Sequence, residues 1–166
     1  YVNDILSAPM HPWQMTLGFT VGGVVRALGI GAALTVVSVL LVGAPVEKPF
    51  ALLAAVVLGL VAFAALGLVV GIYAESWDHT TFIANIVILP LAFVGGTFYS
   101  VDVLPAFWET ATHFNPVFYL VQAVRFGFLG ESDVSIWLSL GVTAALAVPA
   151  YLWAQWLFAT GRRLKD

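Results

Sequence analysis

Few side chains in this sequence can do covalent chemistry. It contains no cysteine, which removes thiol nucleophiles, disulfides and thiolate metal sites. It has no Gly-x-x-x-x-Gly-Lys-Ser/Thr phosphate loop, no Gly-x-Ser-x-Gly elbow and no His-Glu-x-x-His zinc motif. Glu109 and His113 stand four residues apart and would share a helix face. Two ligands do not make a zinc site, which takes at least three from the protein, so a solvated helix pair is the expectation. His11 lies beside Pro12 and His79 follows Asp78, neither with a metal-binding partner at useful spacing. The sequence therefore implies no catalytic residue, no metal, no cofactor and no ATP hydrolysis by this chain.

What remains is a small set of isolated polar groups. Arg26 falls at what reads as the cytoplasmic edge of an apolar run. Such a charge either snorkels to the headgroups or faces a water-filled path, where it would meet an anionic group. Asn3, Asp4 and Ser7 make the first residues more polar than the apolar runs after them, Pro9 and Pro12 interrupt them, and Trp13 suits a membrane interface. A short helix over residues 2–8, parallel to the membrane, would show Asn3 and Asp4 to the cytoplasm as a docking surface. The plainer alternative is a connector.

The elements that must position these groups are apolar. Of 166 residues 61% are hydrophobic and 9% charged, and mean hydropathy is +1.01. Soluble domains carry about 25% charged residues, so lipid must be the solvent for most of this surface. A net charge of -3 with six Lys and Arg argues against nucleic-acid binding. Crossing the ~30 Å hydrocarbon core takes about 20 apolar residues in a helix. Four uncharged stretches qualify, residues 27–46, 49–74, 80–101 and 134–161, the first with a helix that either starts there or begins earlier, before Arg26. Continuous apolar runs select helices over a barrel. The expected fold is thus an all-α membrane protein, a helical bundle with four transmembrane helices. Short links at residues 43–49 and 73–79 imply antiparallel neighbours. Arg162, Arg163 and Lys165 come after the last span, which places the C-terminus in the cytoplasm and residues 1–16 with it. The chain opens at Tyr1 with no signal-peptide pattern, and we expect it to be the C-terminal part of a longer protein.

Glycines 22, 23, 29 and 31 in the first span and 59, 67 and 71 in the second permit close helix approach. Gly67 and Gly71 form a Gly-x-x-x-Gly, expected to pack inside the bundle, with a dimer contact as the alternative. The segment 98–133 is neither a clean span nor a polar loop. Pro90 and Gly95-Gly96 weaken the helix before it. Asp102 with Pro105, and Asn115 with Pro116, read as two helix starts. Val117, Leu120, Val121, Val124 and Phe128 then keep helical spacing, with Gln122 and Arg125 on another face. Two short helices result, either re-entrant in the outer leaflet or capping the bundle from outside. Phe98, Tyr99, Phe107, Trp108, Phe114, Phe118 and Tyr119 crowd this outer side as an interfacial belt.

Residues 90–101, Pro-Leu-Ala-Phe-Val-Gly-Gly-Thr-Phe-Tyr-Ser-Val, then Leu104-Pro105, Asn115-Pro116-Val117-Phe118-Tyr119 and Arg125-Phe126-Gly127 resemble the signature of ABC-2 type permeases, the membrane subunits of type V ABC exporters. The opening residues 1–9 resemble the same family's cytoplasmic segment before its third span. The likeness covers the whole chain, with Ser100 where many members have proline. It implies a single permease domain over 1–166, the last four of six helices, in the bacterial inner membrane. It also implies two permease copies, two separate ATPase subunits, re-entrant extracellular helices within 98–133, and a coupling segment within 1–16. The resemblance would place Asn3, Asp4 and Ile5 against the ATPase, with Glu75 and Asp78 beside them. Arg26, Phe98, Tyr99, Trp108 and Arg125 would then border the path of an amphipathic substrate such as a polysaccharide, lipid or drug. The rings could stack on sugars. The two rivals are a structural membrane subunit without transport and a membrane-embedded enzyme. The enzyme would need ionisable residues clustered at depth, and the spans hold almost none.

Overall fold

The computed structural model describes residues 11–74, 76–97 and 105–161, and all regular structure among them is helical. The elements are α1 (Pro12–Val42), α2 (Pro49–Tyr73), α3 (Trp77–Ile83), a π-helical turn (Ala84–Ile88), α4 (Leu89–Val94), α5 (Ala106–His113), α6 (Pro116–Leu129) and α7 (Ile136–Thr160).

Local chemistry sets these limits. Pro12, Pro49 and Pro116 each occupy a first helical position, where the missing N–H costs nothing. The backbone N–H of His11 donates to Gln14 Oε1 at 2.9 Å, and Ser76 Oγ accepts from the His79 N–H. α1 ends at Gly43, whose φ of 66° is left-handed and favours glycine. The N–H groups of Gly43 and Ala44 then close on the carbonyls of Val39 and Ser38. Pro90 explains the π-helical turn: it cannot donate to Ile86, and its ring crowds that carbonyl, so the preceding turn widens.

Three helices are long and apolar enough to cross a membrane: α1, α2 and α7. α1 begins at Pro12, before Arg26, the earlier start that the sequence left open, and so takes in residues 12–16 of the expected coupling segment. The 80–101 stretch gives a shorter apolar rod, Asp78–Val94.

α2 is the hub and packs on α1, α6 and α7. Its buried face is Ala55, Gly59, Ala62, Ala65 and Val69, and it meets Ser139, Thr143, Ala147, Ala150, Ala154 and Leu157 of α7. Small residues let the backbones approach, the usual source of adhesion where lipid is as apolar as the side chains. Val69, Ala154 and Leu157 pack together, and Tyr73 meets Trp153 at 6.1 Å. The ends of α2 and α7 therefore lie together and the two helices run parallel. α1 runs antiparallel to α2 and stacks Phe19 on Phe158 of α7 at 6.0 Å.

Two expectations need correction. Gly67 and Gly71 do not pack inside this bundle: a Cβ on either would meet nothing within 4 Å. The link at 73–79 does not make the rod a close neighbour of α2. The rod touches α2 near that link and α6 near its far end, and residues 84–90 between are exposed.

Candidate functional site

The most densely bonded part of the molecule is the α5–α6 hairpin. Asn115 caps α6, its Oδ1 accepting from the Val117 N–H at 3.0 Å. Capping leaves its amide nitrogen free to reach across, and Nδ2 donates to the Leu91 carbonyl at 2.6 Å. Thr112, fully buried, donates to the Val94 and Trp108 carbonyls. Arg125 Nη2 donates to the Gly96 carbonyl at 2.9 Å. A helix end leaves carbonyls unpaired. Here Thr112 and Arg125 take up those of Val94 and Gly96, and Asn115 adds a second donor to the Leu91 carbonyl, which already accepts from the Gly95 N–H.

A second polar knot lies between α6 and the start of α7. Gln122 is fully buried on an otherwise apolar helix. Its Nε2 donates to Asp133 Oδ2 at 2.6 Å, and its Oε1 accepts the Asp133 N–H at 3.1 Å. Arg125 Nη1 lies 3.2 Å from the same Asp133 oxygen. Helical spacing alone sets Gln122 on a face away from the apolar stripe. The buried face instead includes Val117, Phe118, Gln122, Ala123 and Gly127, because Asp133 satisfies both ends of the amide. The readable signal is Gln122 and Arg125 within an apolar stretch, followed closely by the polar run Glu131-Ser132-Asp133.

α6 lies antiparallel along α2. A Cβ on Gly127 would sit 2.5 Å from Leu52 Cβ, and one on Gly59 would sit 2.6 Å from Leu120 Cδ1. These pairs are seven residues apart on both helices. At the N-terminal end of α2, the N–H groups of Glu47 and Lys48 donate to the Phe128 and Gly127 carbonyls. The Glu47 carboxylate also fills the space a Cβ would need at Gly130. Extending the register puts Pro116 level with Phe63, about 21 Å along α2 from Pro49 at 1.5 Å per residue. The hairpin thus runs beside more than half of α2.

The site residues expected from sequence fall in different places. Trp108 is half-exposed on α5 and meets Phe107 edge-on at 5.4 Å. Arg125 is held by Asp133 and Gly96, a clamp within the hairpin's surroundings. Asp78 is exposed in the first turn of α3, next to the end of α2. Glu109 and His113 are exposed on α5. Among the described residues no group of three or more potential metal ligands occurs. Asn3, Asp4, Ile5, Glu75, Phe98 and Tyr99 lie outside the described residues.

Arg26 is displaced furthest from expectation. It is not at the edge of a span but in the middle of α1. A Cβ on Gly23 would be 3.5 Å from Ala64 Cβ, and Gly31 and Thr35 share a cleft of about 360 Å³ with Val56 and Leu52. One antiparallel register fits all of these and sets Arg26 level with Val61, the central residue of α2. Its side chain is exposed. An arginine at this depth facing lipid costs roughly 2.5–3.5 kcal/mol on insertion scales and more in simulations.

The sequence profile of the ABC-2 type transporter family matches residues 1–129. The inner membrane transport permease YadH of Escherichia coli K12 is 34% identical over 165 residues, 99% of this chain and 64% of YadH. The nodulation protein J of Rhizobium leguminosarum bv. viciae is 33% identical over 91 residues, 55% of this chain and 35% of that protein. The chain thus spans just under two thirds of the length of YadH. No solved structure matches it.

Proposed function

The chain belongs to the ABC-2 type transporter family, and from that premise we propose that it is the membrane-spanning permease of an ATP-driven exporter. The observation that carries the reading is the hairpin laid along α2. The outer end of α6 bonds to the turn before α2 and, through Gln122, to the residues before α7, while the hairpin tip reaches the level of Phe63. In a bilayer that is a re-entrant pair of helices, acceptable because the backbone at the turn is bonded within protein, through Asn115 to Val117 and Leu91 and through the Tyr119 hydroxyl to the His113 carbonyl.

The parallel course of α2 and α7 supports a fourth crossing. The chain must return along the bundle between them, and α6 ends on the side where α2 and α7 begin. The rod of α3, the π-helical turn and α4 makes that return. With the basic residues 162, 163 and 165 inside, the Tyr73 and Thr160 ends face the cytoplasm and the hairpin faces outward. Asp78 then lies on the cytoplasmic side, as a coupling surface requires, together with Asn3, Asp4, Ile5 and Glu75. The ATPase sits on separate subunits, and a second permease copy completes the path. Nucleotide binding drives the cycle by favouring one arrangement of the two permeases over another. The transported molecule is amphipathic, in the class of polysaccharides, lipids and drugs.

The test is purification of the full-length protein from native membranes in mild detergent, followed by an ATPase assay. The expected result is co-purifying ATPase activity that is lost when Asn3, Asp4 and Ile5 are replaced together by alanine. A clean permease with no ATPase would instead support a structural subunit without transport.

A further inference from the structure

We propose that Arg26 is an anion-binding position within the transport path, halfway through the membrane, and that the face of α1 around it borders water rather than lipid. The proposal takes the permease reading as its basis and concerns the chemistry of the molecule that passes.

Depth comes first. Arg26 is level with Val61, twelve residues from either end of α2, so about 18 Å of helix lies on each side. A fully extended arginine side chain spans less than half of that, which removes the snorkelling that rescues arginines near helix ends. Direction comes second. Thr16, Thr20 and Gly23 define the face that α1 turns to the bundle. At about 100° per residue, Arg26 stands roughly 60° around the helix from Gly23, 80° from Thr16 and 120° from Thr20, about a quarter turn from the middle of that face. It is exposed, and no carboxylate among the described residues lies within ion-pair distance of it.

The surroundings on that face are unusual for a lipid surface. Gly22 and Gly29 flank Arg26, both exposed, and a Cβ on either meets nothing within 4 Å. Their lack of side chains is therefore not explained by packing within this chain. Val25 and Ile30 beside Arg26 are exposed, as are Val36, Leu40 and Leu41 further along, so the bare strip is the one that Gly22 and Gly29 make on one side of the arginine. Bare backbone beside a guanidinium leaves room for a ligand group to reach the charge.

Charge selects the occupant. All nine acidic residues of these 166 fall outside the four apolar runs, so none of these spans, in either copy, brings a carboxylate to this depth. The counter-charge belongs to the transported molecule, which therefore carries a phosphate, carboxylate or sulfate on an otherwise amphipathic body. Arginine suits such groups because its planar donors pair with two oxygens at once.

The absence of cysteine from these 166 residues makes a direct test practical, any cysteine elsewhere in the full-length protein being replaced by serine. The full-length permease, with its ATPase and with no other thiol, is reconstituted in phosphatidylcholine vesicles carrying Gly29→Cys, or Gly22→Cys should the first fail to insert. Two water-soluble methanethiosulfonates serve as probes, one bearing a sulfonate and one a trimethylammonium. The expected result is reaction with both, with the sulfonate favoured by about tenfold, since opposite reagent charges near one cation differ by that order. Adding Arg26→Gln should bring the preference close to unity, and Arg26→Lys should keep it. Val148→Cys, at similar depth on an exposed part of α7, should resist both reagents. Inert thiols at both glycines would overturn the proposal by showing lipid or protein over this face. An unchanged preference in Arg26→Gln would overturn it by showing that the arginine is already neutralised. ATPase activity that co-purifies while this pattern is absent removes the Arg26 assignment alone. The labelling pattern without any co-purifying ATPase removes the transport reading instead.

Discussion

The hairpin of α5 and α6 and the rod of α3, π-helical turn and α4 are similar in composition but held in different ways. The hairpin is bonded at its tip by Asn115, along its side by Gln122 and Arg125, and at its outer end by the backbone of Glu47 and Lys48. The rod meets the rest of the chain near its two ends, and between them Ile86, Val87 and Leu89 are exposed. In lipid, apolar side chains gain little by meeting one another, so position is fixed by close backbone approach and by polar bonds. The hairpin has both along its length. The rod is left free to be placed by whatever else packs on it.

That contrast can be broken at several points. The largest effect belongs to Gly127→Val, because the added carbon would lie 2.7 Å from Leu52 Cα, which cannot swing aside. It should cost about 3 kcal/mol, the upper end for overpacking, read as a lower midpoint of thermal unfolding in detergent. Gly67→Val adds the same bulk to open space and should leave that midpoint nearly unchanged. Next is Asp133→Ala, which strands the buried Gln122 amide and takes away one partner of the Arg125 guanidinium. Stranded buried groups cost about 1–3 kcal/mol, and Asp133→Asn should recover part of the loss in the same unfolding assay. Asn115→Ala removes a cap and a cross-helix bond. About 1 kcal/mol is expected from the cap, with faster protease nicking near residue 115 as an independent readout. The smallest effect is Ile86→Ala in the rod, under about 0.5 kcal/mol for an exposed residue with no special bond. A loss as large as that of Asp133→Ala would show that the isolated rod is packed after all.

The parts of this arrangement written in local chemistry are legible in the sequence. Asn115-Pro116 announces the start of α6, Pro49 that of α2, and 134–161 gives α7 within two residues. Relations between helices are not. Whether Gly59 or Gly67 meets another helix depends on which way α2 is rotated, and every face of α2 is apolar, so no pattern of polarity marks it. The depth of Arg26 is hidden for a related reason. A charge ordinarily marks the boundary of a span, yet the residues before this one, from Pro12, are as able to continue a helix as those after it. Periodicity sets Gln122 on the wrong face because its partner, Asp133, lies across a turn that a helical repeat does not connect.

The widened turn at Ala84–Ile88 has a mechanical meaning of its own. It stores one surplus residue in the rod, and the proline after it lacks the donor that would lock the next turn. Such a surplus can be handed along a helix one hydrogen bond at a time. Each step turns the side chains it passes by about 100° while the ends stay where they are. A segment tethered near its ends and bare in the middle can therefore show a different surface to a neighbour without moving as a body, much as a blind changes its view by rotating its slats.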